Sequence, residues 1–375
     1  MKIVFIIDQV YRHGGIERVL SIKANYLAAQ KNNTVYILTT EQQGKNACYE
    51  FDHHIIFEDL NINYHRDKSY FHPKNLLKLP NHILKVKGAL KKINPDIVVV
   101  CSHSADTYFM PFVLKRIPKV KEFHYSKFIE IEKRQNPSSI FKTLFFKFAD
   151  YVETKYDRLV VLNPDEAAYY KSNNTVTIPN PLTFYPETVA SLVAPVVIAA
   201  GRIAPVKRYD VLIDIWEQVH KKNSALKLYI YGEGDTKYVA ELQKQIENKK
   251  LTASVILKGA TNNIQNKMLS SSLFVMTSDN ECFPLVLLEA QACGLPIISF
   301  DCPNGPRNIV IKNSGMLISM HDREGFSEAI LDTMTNPLKA KEFGKNARLN
   351  ASNYTVDVIM KFWVKMFEEL KLGKR

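Results

Sequence analysis

Short apolar runs alternate with helix-length amphipathic stretches along most of the chain, and this alternation constrains the fold more than any other feature. The runs KIVFIID (residues 2–8), TVYILTT (34–40) and RLVVLN (158–163) are rich in β-branched residues, as expected of buried parallel strands. Between the first two, residues 16–30 place apolar side chains at helical spacing. The alternation predicts an α/β fold with a parallel sheet flanked by helices.

A proline-rich stretch divides the chain into two such alternations. Residues 175–195 carry four prolines and are interpreted as a linker. A second alternation starts at VVIAAG (196–201), and the final segment, residues 356–372, again has apolar residues at helical spacing. Because 375 residues suit two domains, we predict two doubly wound domains, whose ligands bind at the carboxyl ends of the strands.

The composition predicts a cytoplasmic protein that does not span a membrane. Residues 1–8 are apolar but lack a small-residue cleavage site. The longest nearly uncharged apolar run, residues 191–201, is far shorter than the roughly 20 residues that span a bilayer. The five cysteines are scattered without a C-x-x-C pair, so we expect reduced thiols rather than a metal or redox site.

The charge is positive and uneven. The net charge is +12, and residues 1–185 hold 26 Lys and Arg against 18 Asp and Glu. A basic first half favours an anionic partner, such as a membrane surface, a nucleic acid or a phosphorylated ligand. No RNP, helix-turn-helix or zinc signature is present, so we do not expect nucleic acid to be the partner.

Two basic segments with apolar and aromatic residues indicate where a membrane surface would be contacted. Residues 72–92 carry six lysines among leucines and isoleucine, and residues 138–152 combine four phenylalanines with two lysines. Basic amphipathic segments of this kind lie on anionic leaflets. The alternative is an ordinary domain helix with a solvated lysine face. We expect a peripheral protein on the inner face of the cell membrane.

The stretch GRIAPVKRYD (201–210) places two cations where a strand gives way to a helix. Gly201 ends the predicted strand, Arg202 follows it, and Lys207 precedes the helix. Two cations beside backbone amides at such a turn can clamp a diphosphate. Taken alone, the stretch would by default be interpreted as two exposed basic residues.

The stretch ECFPLVLLEAQACGLP (281–296) separates two carboxylates by seven residues. Glu281 follows a predicted strand, and a helix predicted from Pro284 offers the free amides of Leu285 and Val286 to an anion. Glu289 lies about 1.5 turns into that helix, ~7–8 Å along its axis. In such apolar surroundings a carboxylate needs a polar partner, and vicinal sugar hydroxyls or a nearby Arg would serve.

These motifs together resemble the retaining glycosyltransferases of family 4. The resemblance rests on the Glu-x7-Glu pattern followed by AQACGLP, and it covers nearly the whole chain. It implies the GT-B fold, with an acceptor-binding domain over residues 1–180, a nucleotide-sugar domain over 181–355 and a helix over 356–375 that returns to the first domain. The other matching stretches are GGIER (14–18), DIVVVCSHS (96–104), EFHYS (122–126), IPNPL (178–182), GRIAPVKRYD (201–210), YIYGEGD (229–235) and VILKGAT (255–261).

The resemblance implies a role for each matched position on the donor side. Glu289 would hold the ribose hydroxyls of the nucleotide, and Glu281 would hold hydroxyls of the donor sugar. Arg202 and Lys207 would stabilise the leaving diphosphate. The remaining donor contacts would come from Gly201, from Gly15 near the phosphates, from Ala260 and Thr261 near the base, and from Cys282, Phe283, Leu285 and Val286.

On the acceptor side, His124 corresponds to the histidine that the family places between donor sugar and acceptor. It would be catalytic together with Arg202, Lys207 and Glu281. Gly14, Glu17 and His103 would line the acceptor side.

The chain departs from the family pattern next to the first glutamate. Cys282 and Pro284 stand where the family usually has glycine, and Pro284 lacks an amide that could bind the sugar or phosphate. SFDCPNGPRNIV (299–310) resembles a variant in bacterial enzymes that build surface polysaccharide precursors. It implies a UDP-hexose donor (Gal, GalNAc, GlcNAc or Glc) and a lipid-linked or saccharide acceptor.

The resemblance leaves two alternatives open, a GDP- or ADP-sugar donor and a GT-B sugar-nucleotide epimerase. We expect no cofactor, because the UDP-sugar is a co-substrate. No D-x-D motif is present, and we expect no metal, since two cations can stabilise the leaving diphosphate.

Overall fold

The structure is a computed structural model that describes residues 1–373, apart from the side chain at position 132. The chain divides into two compact units. The first unit comprises Met1–Thr183 together with the C-terminal segment that starts at Val356, and the second comprises Phe184–Thr355.

The first unit is built on a seven-stranded parallel sheet with the strand order β3-β2-β1-β4-β5-β6-β7. The order reverses between β1 and β4, which is the switch point of a doubly wound sheet. The middle of β1 is completely buried, which accounts for its unbroken apolar sequence. The strands are β1 Lys2–Ile7, β2 Thr34–Thr39, β3 Ile56–Asp59, β4 Ile97–Val100, β5 Lys119–Glu122, β6 Arg158–Val161 and β7 Thr175–Thr177.

Helices cover this sheet and connect its strands. The C-terminal helix of the chain packs on the first of them and on β4, and it buries one face made of Ile359, Met360, Trp363, Met366, Phe367 and Leu370. The helices of the first unit are α1 Gly15–Ala28, α2 Pro73–Leu76, α3 Leu79–Ile93, α4 Asp106–Phe109, α5 Phe128–Gln135, α6 Ile140–Glu153 and α7 Pro164–Ala167, with the C-terminal helix, α14, at Val356–Leu372.

The second unit is a six-stranded parallel sheet with the order β10-β9-β8-β11-β12-β13. Its core gathers the apolar face of the first helix, including Trp216, against the central strands. The strands are β8 Val196–Ala200, β9 Lys227–Tyr231, β10 Val255–Gly259, β11 Leu273–Met276, β12 Ile297–Phe300 and β13 Gly315–Ile318. The helices are α8 Tyr209–Lys222, α9 Thr236–Asn248, α10 Ile264–Leu269, α11 Leu285–Ala292, α12 Arg323–Thr335 and α13 Pro337–Ala351.

The predicted pair of doubly wound domains is confirmed, and so is the return of the C-terminal helix to the first of them. Two local predictions were wrong. The stretch interpreted as a linker begins with β7, because residues 175–177 pair with β6 as an edge strand. The helix predicted from Pro284 begins at Leu285, because Pro284 has an extended backbone (ψ 95°) and precedes the helix.

No helix in residues 1–373 is both long and apolar enough to cross a bilayer.

Replacing Trp363 by Ala is expected to lower the free energy of unfolding by about 3–5 kcal/mol, because a large side chain that is 3% exposed leaves a cavity. The substitution also removes the cation–π contact between the indole and the Lys23 ammonium, which lies 4.3 Å from the ring centroid. Urea unfolding measures the difference. The matched control is Phe362→Ala, since Phe362 is the preceding residue and 53% exposed. Equal losses in the two variants would contradict the packing described for α14.

Candidate active site

The loops that follow β8 and β9 approach each other so closely that they require glycine. Gly201 and Gly232 have φ angles of 150° and 152°, which residues with a side chain rarely adopt. A Cβ atom on Gly232 would overlap the carbonyl of Gly201, and one on Gly234 would overlap the carbonyl of Ile203. The backbones are joined by hydrogen bonds, including one from the Ile203 amide to the Glu233 carbonyl at 2.7 Å.

The two arginines in the segment after Gly201 differ in whether they are ion-paired. Arg208 is held by Asp210 and Asp279. Arg202 is exposed and, within the part of the chain that the structure describes, has neither a hydrogen bond nor an ion pair. Of these two guanidinium groups, Arg202 is the one available to an anionic ligand.

Lys207 and Glu281 form an ion pair, with Nζ 2.5 Å from Oε1. Their side chains are 19% and 15% exposed, so both can reach a ligand without being fully solvated. The backbone of Glu281 is fixed on both sides, since its amide donates to the Pro303 carbonyl and its carbonyl accepts from the Gly305 amide at 2.7 Å. The pair is therefore preorganised.

The end of β11 is tied to the loop that carries Lys207. The Thr277 hydroxyl donates to the carbonyls of Lys207 and Arg208, at 3.2 and 3.0 Å. The Asp279 amide donates to the Val206 carbonyl at 2.9 Å. Because β8 and β11 are parallel neighbours, both loops lie at the carboxyl edge of the same sheet, where ligands of such sheets bind.

Helix α11 begins at this edge. The first amides of a helix have no acceptor within the helix, so those of Leu285 and Val286 can donate to an anion, and the helix dipole favours negative charge there. Glu289 is 4% exposed, which is unusual for a carboxylate. Cys282 and Phe283, which precede the helix, are also buried, at 8% and 7% exposed.

Residues Ala260 and Thr261 follow β10 at the same edge. Ala260 is exposed and Thr261 is half-buried. The Thr261 hydroxyl accepts from the Asn263 amide at 3.2 Å, and the carbonyl of Gly259 accepts from the Gly232 amide at 2.9 Å. The predicted donor residues after β8, β10 and β11 therefore belong to one sheet edge of the second unit.

In the first unit, the glycine-rich loop leads from β1 into α1. Gly14 precedes the helix, and a Cβ atom there would overlap the Glu17 carboxylate. Glu17 accepts from the Gln9 side chain at 2.5 Å, and burial raises the pKa of its carboxyl group. Gly15 is exposed, with nothing within 4 Å of the position of a Cβ atom, so its backbone is open to a ligand.

His124 lies just beyond β5 and is hydrogen-bonded to a buried ion pair. Its Nε2 lies 2.7 Å from Oε2 of Glu122, and the other Glu122 oxygen binds the Lys23 ammonium. Burial alone would raise the pKa of Glu122, but Lys23 and His124 hold it at about 2. With Glu122 ionised, Nε2 is the protonated nitrogen, so Nδ1 is the acceptor. Burial lowers the pKa of His124 despite Glu122, which keeps the ring neutral at pH 7.

His103 has different surroundings. It is exposed, and its ring packs edge-on against Tyr125, with 4.6 Å between the ring centroids. The His103 ring therefore packs with aromatic side chains, and among the described residues no hydrogen bond or ring contact joins it to His124.

Sequence reasoning missed Lys23 and Glu122, although one signal was available. The strand KVKE is fully buried and three of its four residues are charged. A parallel strand buried on both faces is normally apolar, so each of these charges required a partner.

Two family models match the chain in succession. The model described as Glycosyltransferase Family 4 matches residues 13–183, and the model described as Glycosyl transferases group 1 matches residues 188–350. Together they span most of both units. The chain belongs to glycosyltransferase family 4.

Two curated relatives show the extent of the likeness. The poly(ribitol-phosphate) alpha-N-acetylglucosaminyltransferase of Staphylococcus aureus is 34% identical over 220 residues, which are 58% of this chain but only 43% of that relative. The amylovoran biosynthesis glycosyltransferase AmsD of Erwinia amylovora is 26% identical over 375 residues, covering 96% of this chain and 98% of AmsD.

A solved structure shows the same fold. The Anabaena protein Alr3699/HepE, in complex with UDP and glucose, superimposes with a TM-score of 0.77 at 20% identity, over 98% of this chain and 100% of that one. The predicted GT-B fold of this family 4 glycosyltransferase is thereby confirmed.

Replacing Glu122 by Gln is expected to lower the free energy of unfolding by about 3–5 kcal/mol at pH 7, because Lys23 becomes an unpaired buried charge. The pKa of Glu122 falls on folding from 4.5 to about 2. Its contribution to stability is therefore fully present above about pH 4.5 and is lost as the pH falls towards 2. Urea unfolding at neutral and acidic pH measures this.

The exposed residue Glu328 provides the control variant, Glu328→Gln. A destabilisation by Glu122→Gln that does not decrease in acid would contradict the ion pair, and so would the absence of any destabilisation.

Proposed function

We propose that the chain transfers a hexose from a UDP-sugar, with retention of configuration, to a lipid-linked or saccharide acceptor in surface polysaccharide synthesis. The observation that carries the proposal is the Lys207–Glu281 pair beside the partnerless Arg202 at one sheet edge. The relatives named above support the class of reaction, and the UDP and glucose in the Anabaena complex support the class of donor.

In this proposal the second unit binds the donor and stabilises the leaving group. Glu289 accepts hydrogen bonds from the ribose hydroxyls, and Glu281 accepts from the donor sugar. Negative charge develops on the diphosphate as the glycosidic bond breaks. Arg202, Lys207 and the first amides of α11 stabilise that charge from fixed positions, which is the most effective form of electrostatic catalysis.

Lys207 can serve the diphosphate and Glu281 at once, because an ammonium group has three donors. The ammonium contacts Oε1 of Glu281, so Oε2 of the same carboxylate remains an acceptor for sugar hydroxyls. The base is contacted by the backbone of Ala260 and Thr261, which precede α10.

In the first unit, His124 acts next to the reacting sugar. Its Nε2–H is committed to Glu122, so the neutral ring offers Nδ1 as an acceptor for a sugar or acceptor hydroxyl. Gly14, Gly15 and Glu17 line the acceptor side. No carboxylate is assigned as a nucleophile; the leaving phosphate deprotonates the acceptor on the same face of the sugar, which preserves configuration.

Transfer proceeds without a metal in this proposal, because Arg202 and Lys207 supply the charge that a divalent ion supplies elsewhere. Among the described residues, one group has the spacing of metal ligands, namely Asp52, His53 and His54. It precedes β3 in the first unit and is remote in sequence from every residue proposed to bind the diphosphate.

The donor is tested by a thermal-shift series with UDP, GDP and ADP, each with and without EDTA. A ligand that binds only the native state raises the melting temperature. UDP is expected to give the largest shift, unchanged by EDTA, and Glu289→Ala is expected to abolish it. Glu187→Ala provides a control, because Glu187 is an exposed carboxylate of the same unit. A larger shift with GDP or ADP would replace UDP as the donor nucleotide, and an undiminished shift in Glu289→Ala would exclude the ribose role.

We further propose that the protein works in the cytoplasm, at the inner face of the membrane, held peripherally through the basic and aromatic surface of its first unit. Residues 68–95 contain seven lysines and no acidic residue, so anionic lipid is favoured over neutral lipid.

In a sedimentation assay, phosphatidylglycerol vesicles are expected to bind the chain at low salt and to release most of it at high salt. Phosphatidylcholine vesicles provide the control. Equal binding to both lipids would show that charge does not direct the contact.

A further inference from the structure

Helix α6 presents an apolar face to solvent instead of to the core. Ile140, Phe141, Leu144, Phe148 and Tyr151 follow one another at helical spacing and are all exposed, Phe141 by 79%. The helix buries only three of its 14 residues. A soluble helix normally hides such a face, so this face is open to a partner.

The exposed face continues onto neighbouring elements of the first unit. The ring of Phe71 lies 4.8 Å from that of Phe145, and Phe112 stacks on Tyr151 at 6.3 Å. A contiguous apolar surface of this kind is rare on soluble monomers and marks an interaction site. We refer to Phe71, Phe112 and the five exposed residues of α6 as the aromatic face.

A cavity of about 180 Å³ lies directly beside the aromatic face. Phe71 and Phe148 belong to both, and Leu76, which is 42% exposed, stands with them at the opening. The interior is walled by Tyr64, Tyr70 and Phe109. Nearly all of the lining is carbon, so the cavity suits a hydrocarbon ligand.

The inner wall of the cavity reaches the edge of the sheet where ligands bind. The Tyr70 hydroxyl donates to Oδ2 of Asp8 at 3.3 Å, and Asp8 directly follows β1. The carboxyl edge of β1 is also where the loop with Gly14 and Gly15 begins. The cavity therefore lies between the aromatic face and the acceptor side of the first unit.

The charge around the cavity selects an anionic amphiphile. Residues 68–95, which supply α2 and α3, contain seven lysines and no Asp or Glu. Lys74, Lys142 and Lys147 are exposed beside the aromatic face. Two copies of the chain joined through this face would bring like charges together, which disfavours a second copy as the occupant.

We propose that the cavity binds one alkyl chain of a lipid-linked phosphate acceptor, while the aromatic face lies against the leaflet and the lysines neutralise the phosphate. The identity of the amphiphile as the acceptor rests on the proposed function. A cavity of about 150 Å³ accommodates benzene, so one of this size accommodates about six to eight carbon atoms. The remainder of the chain stays in the bilayer.

The probes are butyl, hexyl, octyl, decyl and dodecyl phosphate, each below its critical micelle concentration, with inorganic phosphate as the chainless reference. Titration calorimetry is expected to show an affinity that rises about fourfold per methylene group up to about eight carbons and then levels off. The plateau is the signature of a cavity, because partition onto an open apolar surface continues to strengthen with chain length.

Leu76→Ser and Phe148→Ser are expected to weaken octyl phosphate binding at least fivefold. Ala105→Leu, which narrows the cavity from within, is expected to move the plateau to shorter chains. Leu338→Ser provides the matched control, because Leu338 is 81% exposed in the second unit. The two serine variants replace half-exposed side chains, so they keep the test valid if Ala105→Leu fails to fold.

An affinity that does not depend on chain length, or one that rises without a plateau, would overturn the proposal. Conversion of a dimer to monomers by the serine variants would assign the aromatic face to self-association instead. UDP binding is measured on the same samples. If the wild-type chain does not bind UDP but the affinity for alkyl phosphates still reaches the plateau, the proposed donor is refuted and the cavity proposal stands.

Discussion

The ion pair between Lys207 and Glu281 is the interaction on which the proposed donor site depends. It joins the loop after β8 to the segment after β11, and backbone hydrogen bonds at Thr277, Asp279 and Glu281 hold both partners in place. Because the pair is preformed, a bound diphosphate finds its cation already oriented. The electrostatic stabilisation then requires little reorganisation when the sugar leaves.

The first unit uses buried charge in a different way. Lys23, Glu122 and His124 form a chain from α1 through β5 to the loop just beyond it, and Trp363 of α14 packs on Lys23. Each charge has its opposite within reach, which is the condition for burying ions in a core. The arrangement leaves Nδ1 of His124 as the free nitrogen. Because Trp363 packs on Lys23, the C-terminal helix helps to position His124, which is far from it in sequence.

The sequence allowed the two sheets to be predicted because buried parallel strands leave unmistakable runs such as residues 2–8 and 196–201. It also allowed Gly201, Lys207 and Glu281 to be placed at one edge, since parallel strands share their carboxyl ends. Edge strand β7 was missed because three residues carry no periodicity. Glu122 and Lys23 were missed because a pattern within one segment does not reveal a partner 99 residues away. The partnerless state of Arg202 and the cavity beside α6 depend on side-chain positions that only the folded chain defines.

The measurement that tests the central claim most directly compares the affinities of UDP and UMP for the wild-type chain and for Arg202→Met with Lys207→Met. These two nucleotides differ only in the phosphate that the cations are proposed to hold. The account predicts that the wild type prefers UDP at least tenfold, and that the double variant binds both nucleotides equally while its UMP affinity stays near the wild-type value. A preference for UDP that survives in the double variant would contradict the diphosphate role of Arg202 and Lys207.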